Sequence, residues 1–145
     1  MNKEFVPYDQ ALELKELGFD EPCLGYYRKD NLTLKFGEGF ELVTRNYRRN
    51  VMHYTLKNSR YIAGSNAPDG YYYLTTSPTF SQAFRWFKEK HEIFSSVWDF
   101  ESDKKFFIDW GFGIHTFKVD NFNDTREEHL KLECLKKLIE IVKNK

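Results

Sequence analysis

The feature that most constrains the fold is an amphipathic segment in the middle of the chain, residues 77–91. Its apolar residues recur at helical spacing, and they are Phe80, Ala83, Phe84 and Phe87. Because residues at i, i+3, i+4 and i+7 share one side of an α-helix, the pattern predicts a helix with a single apolar face. Ser77 is the predicted N-cap, and Pro78 is the predicted first helical residue, where a missing N–H costs nothing. A face with three phenylalanines must pack on a sheet or on another helix.

Two further helices are predicted near the ends of the chain. Residues 8–17 carry apolar side chains on one side and are followed by Gly18, a common helix stop. The last helix is predicted to begin at Thr125, which forms a Thr-x-x-Glu capping box with Glu128. Apolar residues continue from there at helical spacing almost to residue 143, and so wide a stripe predicts burial on two sides.

Two stretches have the alternating pattern of β-hairpins. The first covers residues 24–36 around a polar turn, and the second covers residues 94–114 around the turn 101–105. Gly111 and Gly113 are the predicted positions of a bulge or of a close backbone approach, because the alternation changes face after them. The order helix, hairpin, helix, hairpin, helix predicts an α+β fold in which antiparallel β-hairpins form a sheet packed against three helices.

Length and composition predict one domain over residues 1–145, with no need of a metal, cofactor or disulfide. Lysines and arginines number 22, and aspartates and glutamates also number 22, which argues against a generally basic nucleic-acid-binding surface. Cys23 and Cys134 stand far apart without metal-ligand spacing, so they are predicted to be buried free thiols in a reducing compartment. No apolar run approaches the roughly 18 residues of a membrane span, and the charged first residues do not resemble a signal peptide. A cytoplasmic location without membrane attachment is therefore expected.

The segment from residue 42 to residue 68 differs from its surroundings in charge. It contains four arginines, one lysine and one histidine but no aspartate or glutamate, although the whole chain is neutral. Both helical and strand periodicities are poor in it, which predicts an irregular basic loop at about residues 44–70. We call residues 44–70 the basic segment.

The basic segment suggests a binding site for an anionic ligand. Arginines make bidentate contacts to phosphate, and planar side chains stack on bases. The central helix is predicted to add two residues to this site. The predicted site residues are Arg45, Tyr47, Arg48, Arg49, His53, Tyr54, Arg60, Tyr61, Arg85 and Trp86. The alternative interpretation is a solvated loop whose arginines pair with Glu38, Glu41 or Asp69.

Three blocks of sequence carry a resemblance to a known family. They are FVPY at 5–8 followed by ALELKELGFDEPC at 11–23, QAFRWFKEK at 82–90, and ECLKKLIEIVK at 133–143. Together they resemble a widespread family of short uncharacterised proteins of tailed phages and prophages of gut bacteria. The resemblance implies no activity or catalytic residues, but it implies a phage genome, where small accessory proteins commonly bind a host protein or sequester a host signal. The basic segment and the second hairpin are longer than the family leads us to expect.

Two binding functions follow from these observations. The first is a sponge that sequesters a nucleotide immune signal and so counters host anti-phage defence. A symmetric ligand would favour a homodimer or higher homo-oligomer. The second is a protein-binding inhibitor of a host factor, which predicts an exposed apolar patch instead of a basic cleft.

An enzyme is the remote alternative. Pro68-Asp69 and Asp103-Lys-Lys105 match the pattern of a metal-dependent nuclease, but Asp103 is predicted to lie in a turn and the pattern is short. The four histidines lack zinc-ligand spacing, and no glycine-rich phosphate loop opens a helix. The sequence therefore favours a protein without catalytic or metal-binding residues.

Overall fold

The computed structural model describes residues 4–28, 31–36, 38–42, 49–53, 61–63, 71–100, 103–119 and 127–145. The described residues form three helices and nine strands, and all strand pairs are antiparallel, which confirms the α+β class. The chain divides into two compact units. We call Pro7–Pro78 the N-terminal unit, and Met1–Val6 with Thr79–Lys145 the C-terminal unit. That the whole chain behaves as one domain stays a prediction.

The N-terminal unit begins with helix α1, Tyr8–Glu16, as predicted. Its buried residues are Ala11 and Leu14, and the helix packs against strand β6, Tyr71–Ser77. Gly18 follows with φ of 95°, a left-handed conformation that glycine adopts without steric cost and that commonly ends a helix. The helix stop expected at this glycine is confirmed.

A four-stranded sheet in the order β2-β1-β6-β5 accompanies α1. The predicted first hairpin is its pair β1, Gly25–Arg28, and β2, Asn31–Phe36. A separate two-stranded sheet consists of β3, Glu38–Leu42, and β4, Arg49–His53. Strand β4 and strand β5, Tyr61–Ala63, both fall within the basic segment, so parts of the predicted irregular loop are extended strand. The other residues of that segment lie outside the described part of the chain.

The C-terminal unit contains the central helix α2, Phe80–His91. Its N-cap is Thr79, whose hydroxyl accepts a hydrogen bond of 3.1 Å from the Gln82 N–H, so the predicted cap at Ser77 and start at Pro78 are wrong. Ser77 is instead the last residue of β6, in register with Gly25, and the threonine two residues later supplies the equivalent oxygen. The helix ends at Glu92, which has φ of 56°.

The buried face of α2 is rotated from the predicted one. Phe80, Ala83 and Phe87 are buried as expected, but Trp86 is buried as well, whereas Phe84 is only half-buried. The ring of Trp86 meets that of Phe87 edge-on, with 5.0 Å between centroids. The buried stripe of α2 is therefore shifted toward Trp86 and away from Phe84, which lies at the opposite margin of the stripe.

The second predicted hairpin is a three-stranded meander. Its strands are β7, Phe94–Phe100, β8, Asp103–Trp110, and β9, Gly113–Lys118, paired in that order. The predicted bulge is wrong, because Gly111 and Phe112 form a two-residue loop between the paired residues Trp110 and Gly113. Gly111 has φ of 63°, as the first loop position of a type II′ turn requires. This turn, not a bulge, changes the face of the later residues.

Helix α3, Glu127–Lys143, covers one face of this meander. Its buried residues are Leu130, Cys134, Leu135, Leu138 and Ile139. They pack toward β7 and β8, where Phe106 and Ile108 are buried, and α3 also packs against α2. The predicted cap Thr125 lies outside the described residues. None of the described helices is long and apolar enough to cross a membrane.

Both cysteines are free and buried, as predicted, whereas the reducing compartment stays a prediction. Burial raises the pKa of the Cys134 thiol to about 12, and a hydrogen bond with Ser95 opposes part of that increase. The folded-state pKa of this thiol lies above its unfolded value of roughly 8.5. The contribution of the neutral Cys134 thiol to the free energy of unfolding is therefore complete below that pH and is lost as the pH rises toward about 12.

We therefore expect Cys134 to resist alkylation near pH ~8 while the protein is folded. The measurement is the rate of iodoacetamide labelling of the Cys23→Ala variant, with and without urea. Labelling should become fast only in urea. Equal rates in both conditions would contradict burial of this thiol.

Candidate functional site

The most distinctive surface of the described chain is the face of the β7-β8-β9 sheet opposite α3. Alternate residues of a strand point to opposite sides, and the strand register aligns Phe94 with Asp109 and Ile114, and Ser96 with Phe107 and Thr116. Five of the eleven side chains on this side of the sheet are large and apolar. We call them the aromatic face, which consists of Phe94, Trp98, Phe100, Phe107 and Ile114.

The aromatic face is open to solvent at four of its five residues. The exposed fractions are 49% for Phe94, 44% for Trp98, 58% for Phe100 and 69% for Ile114. Phe112, in the loop after β8, is also fully exposed. Scattered exposed apolar residues are normal on protein surfaces, but a contiguous group on one sheet marks an interaction surface.

The aromatic side chains on this face contact one another and nearby lysines. The rings of Trp98 and Phe100 lie 4.6 Å apart between centroids. The Lys105 Nζ lies 5.9 Å from the centre of the Trp98 ring and 5.7 Å from that of Phe107. Lys88 of α2 lies 5.5 Å from the centre of the Phe94 ring. Cation–π contacts therefore hold several of these rings in place without covering them.

Charges around the aromatic face are partly balanced. The Lys105 ammonium lies 2.9 Å from the Asp103 carboxylate, and Lys104 forms an ion pair with Asp99 on the other side of the sheet. Lys118 is exposed on the edge strand β9, whereas Asp109 is exposed on the central strand β8 between Phe94 and Ile114. Charged side chains therefore lie among the apolar residues of this face as well as beside them.

The described part of the chain contains five of the ten residues of the predicted anion site. Five of its members lie outside the described residues: Arg45, Tyr47, Arg48, Tyr54 and Arg60. Arg49 and His53 are the end residues of β4, in register with Leu42 and Glu38. Tyr61 begins β5, in a different sheet. Of the ten predicted site residues, Arg49 and His53 thus share one strand, and Tyr61 belongs to another sheet.

The two predicted site residues on α2 have different environments. Arg85 is exposed, whereas Trp86 is only 3% exposed. Besides Phe87, the Trp86 ring contacts His91, with 5.0 Å between centroids, and burial together with the Lys145 charge lowers the pKa of that histidine. Trp86 is therefore enclosed in the core of the C-terminal unit, where its ring is not presented to a ligand.

The described residues include only part of the nuclease pattern. Asp103 is the first residue of β8 and pairs with Lys105, so it lies on a strand and not in the predicted turn. Asp69 lies outside the described part. Within the part of the chain that is described, no group of three or more histidine, cysteine, aspartate or glutamate residues could hold a metal ion.

Sequence reasoning missed part of the aromatic face. The alternation of Phe94, Trp98 and Phe100 predicts a shared face. The alternation from Phe106 to Ile114, however, predicts that Ile114 lies on the same side as Phe106 and Ile108. The dipeptide Gly111-Phe112 could have indicated the correct side for Ile114, because a two-residue loop that starts with glycine favours a type II′ turn. Such a turn places Ile114 on the exposed side.

Comparison with known proteins gives no relative. No family model, curated protein or solved structure matches this chain significantly.

Proposed function

We propose that this protein acts by binding another protein through the aromatic face. The observation that carries the proposal is the pair Trp98 and Phe100, whose rings contact each other while 44% and 58% of their surfaces stay exposed. Tryptophan and other aromatic residues are frequent anchors of protein interfaces, because they bury much apolar area with few rotatable bonds.

The free energy of binding that the exposed rings could contribute supports this function. Transferring the exposed half of such a ring from water into an interface contributes on the order of 2 kcal/mol. Several rings on one sheet face could therefore supply the central cluster of an interface. The lysines and carboxylates that lie among and beside these rings would supply the polar contacts of the interface.

The resemblance to phage accessory proteins gives the partner its expected class. We propose a host protein, whose activity this chain would inhibit by covering an apolar surface of complementary shape. No catalytic step is required for such a function.

Affinity capture from host extract tests the proposal, with the double variant Trp98→Lys/Phe100→Lys as the comparison bait. A protein retained by the natural chain and lost with the variant would support the aromatic face as the binding surface. Identical sets of retained proteins would overturn it.

A second candidate function is sequestration of an anionic small molecule, most specifically a nucleotide immune signal, by the basic segment. Its supporting observation is the absence of any carboxylate between residues 42 and 68 of an otherwise neutral chain. Four arginines without acidic neighbours in sequence would concentrate positive charge locally and suit bidentate phosphate binding. A symmetric cyclic nucleotide would place the site between two copies of the chain.

For this candidate we expect a nucleotide present far above its dissociation constant to raise the melting temperature by several degrees. The variant Arg48→Glu/Arg49→Glu should lose that rise while its own melting temperature changes little. The measurement is a thermal-shift screen of mono-, di- and cyclic nucleotides, with inorganic phosphate as the control. A flat response across the panel, or an unchanged response in the variant, would contradict this site.

A further inference from the structure

Four rings form a continuous stack on the side of β8 and β9 that faces α3. Phe106 and Phe117 are 5.0 Å apart between centroids with an interplanar angle of 20°. Phe117 and Trp110 follow at 6.4 Å and 16°, and Trp110 and His115 at 3.8 Å and 34°. Phe106 is buried at one end of the stack, whereas His115 is exposed at the other. The planes of Phe106, Phe117 and Trp110 are nearly parallel, and the His115 ring, tilted by 34° to Trp110, ends the series in solvent.

The open end of this stack borders a cleft of about 430 Å³ beside the C-terminal part of α3. Trp110, His115 and Phe117 form the wall from the sheet. Lys137, Glu140 and Asn144 contribute from the other side, and their spacing of three and four residues places them on one side of the chain there. The volume lies within the range of roughly 300–1,000 Å³ that is usual for small-molecule sites.

The polar groups of the cleft include both donors and acceptors. The Lys137 Nζ lies 5.2 Å from the centre of the Phe117 ring and 3.3 and 3.4 Å from the two carboxylate oxygens of Glu140. The Asn144 side chain is an amide, which both donates and accepts hydrogen bonds. Lys145 also lines the cleft, so two ammonium groups accompany one carboxylate.

We propose that this cleft binds a free mononucleotide. The base would stack at the open end of the ring series, on the exposed His115 ring that lies next to Trp110, since aromatic surfaces suit any planar heterocycle. The mixed donors and acceptors of Glu140 and Asn144 would meet its polar edge, and Lys137 would meet the phosphate. A simple inorganic anion would make no stacking contact with the rings. A purely apolar ring would offer no polar group to the Lys137 ammonium or the Glu140 carboxylate.

This inference goes beyond the functions proposed above, because its residues belong neither to the aromatic face nor to the basic segment. Trp110 and Trp98 lie in the same sheet on opposite faces. That placement provides a matched pair of tryptophans for the test.

The experiment is a titration with adenosine or guanosine monophosphate, followed through the three tryptophan indole N–H signals in two-dimensional NMR spectra. Ribose 5-phosphate serves as the control without a base. We expect a saturable shift of the Trp110 signal with a mononucleotide, little change at Trp98, and no comparable shift with ribose 5-phosphate. His115→Ala should weaken binding about tenfold, because one stacking partner is lost, whereas Trp98→Ala should leave it unchanged.

Three results would overturn the inference. They are no shift of Trp110 at millimolar mononucleotide, an equal shift with ribose 5-phosphate, and unchanged affinity in His115→Ala. His115 is exposed, so this variant is expected to fold even if Trp110→Ala does not. Binding that is lost in Arg48→Glu/Arg49→Glu but kept in His115→Ala would assign the nucleotide to the basic segment instead.

Discussion

Replacing Phe87 with alanine is expected to lower the free energy of unfolding by about 3–5 kcal/mol. Its side chain is completely buried, and its ring contacts Trp86 at 5.0 Å and His91 at 5.9 Å between centroids. Truncation removes the transfer free energy of the ring and leaves a cavity that a packed core fills only in part. Since a typical domain has a stability of only about 5–15 kcal/mol, the variant should unfold at a much lower temperature or denaturant concentration.

The matched control is Phe84→Ala on the same helix. Phe84 is half-buried, and among the described residues its nearest ring is that of Phe80, with 6.3 Å between centroids, so its truncation should cost clearly less. Urea unfolding followed by circular dichroism gives both values. An equal or larger loss in Phe84→Ala would contradict the rotated buried face of α2.

The second large effect is expected on partner binding. The double variant Trp98→Lys/Phe100→Lys should reduce affinity for the protein partner at least about a hundredfold, because truncating interface anchors commonly costs 2 kcal/mol or more each. The added charges would also have to be buried beside Lys105, which already lies next to both Trp98 and Phe107. Both replaced side chains are about half-exposed, so the folded state should tolerate the change much better than the complex does.

Ser81→Lys is the control for the added charge, since Ser81 is exposed on α2 and lies outside the aromatic face. It should bind the partner with unchanged affinity. Calorimetric titration of the purified pair measures both variants, and thermal melting checks that each is folded. Full affinity in the double variant would remove the aromatic face from the interface.

Elements set by local sequence were predictable. Helix α1 with its stop at Gly18, the first hairpin and most of α2 follow from short-range periodicity and turn residues. The N-cap of α2 was not predictable from local sequence, because Ser77 and Thr79 both carry a hydroxyl that can accept the capping hydrogen bond. Only the pairing of β6 with β1 decides between them. The third strand of the meander was missed because apolar residues continue to alternate through Gly111-Phe112.

The candidate site was predictable only in part. Alternation shows that Phe94, Trp98 and Phe100 share a face, but both faces of the meander are rich in large rings. Which face is covered depends on where α3 packs, a contact between segments far apart in sequence. The ring stack that ends at His115 likewise depends on strand register, which a two-residue turn sets and periodicity alone does not.

The most direct test of the central claim is photo-crosslinking from the aromatic face in infected or expressing host cells. A photoreactive phenylalanine derivative at position 98 replaces one exposed aromatic ring by another, and the same group at position 85 on α2 serves as the control. We expect a discrete crosslinked host protein from position 98 and not from position 85, and loss of that product when Phe100→Lys is added. Equal crosslinking from both positions, or none from position 98, would contradict protein binding through this face.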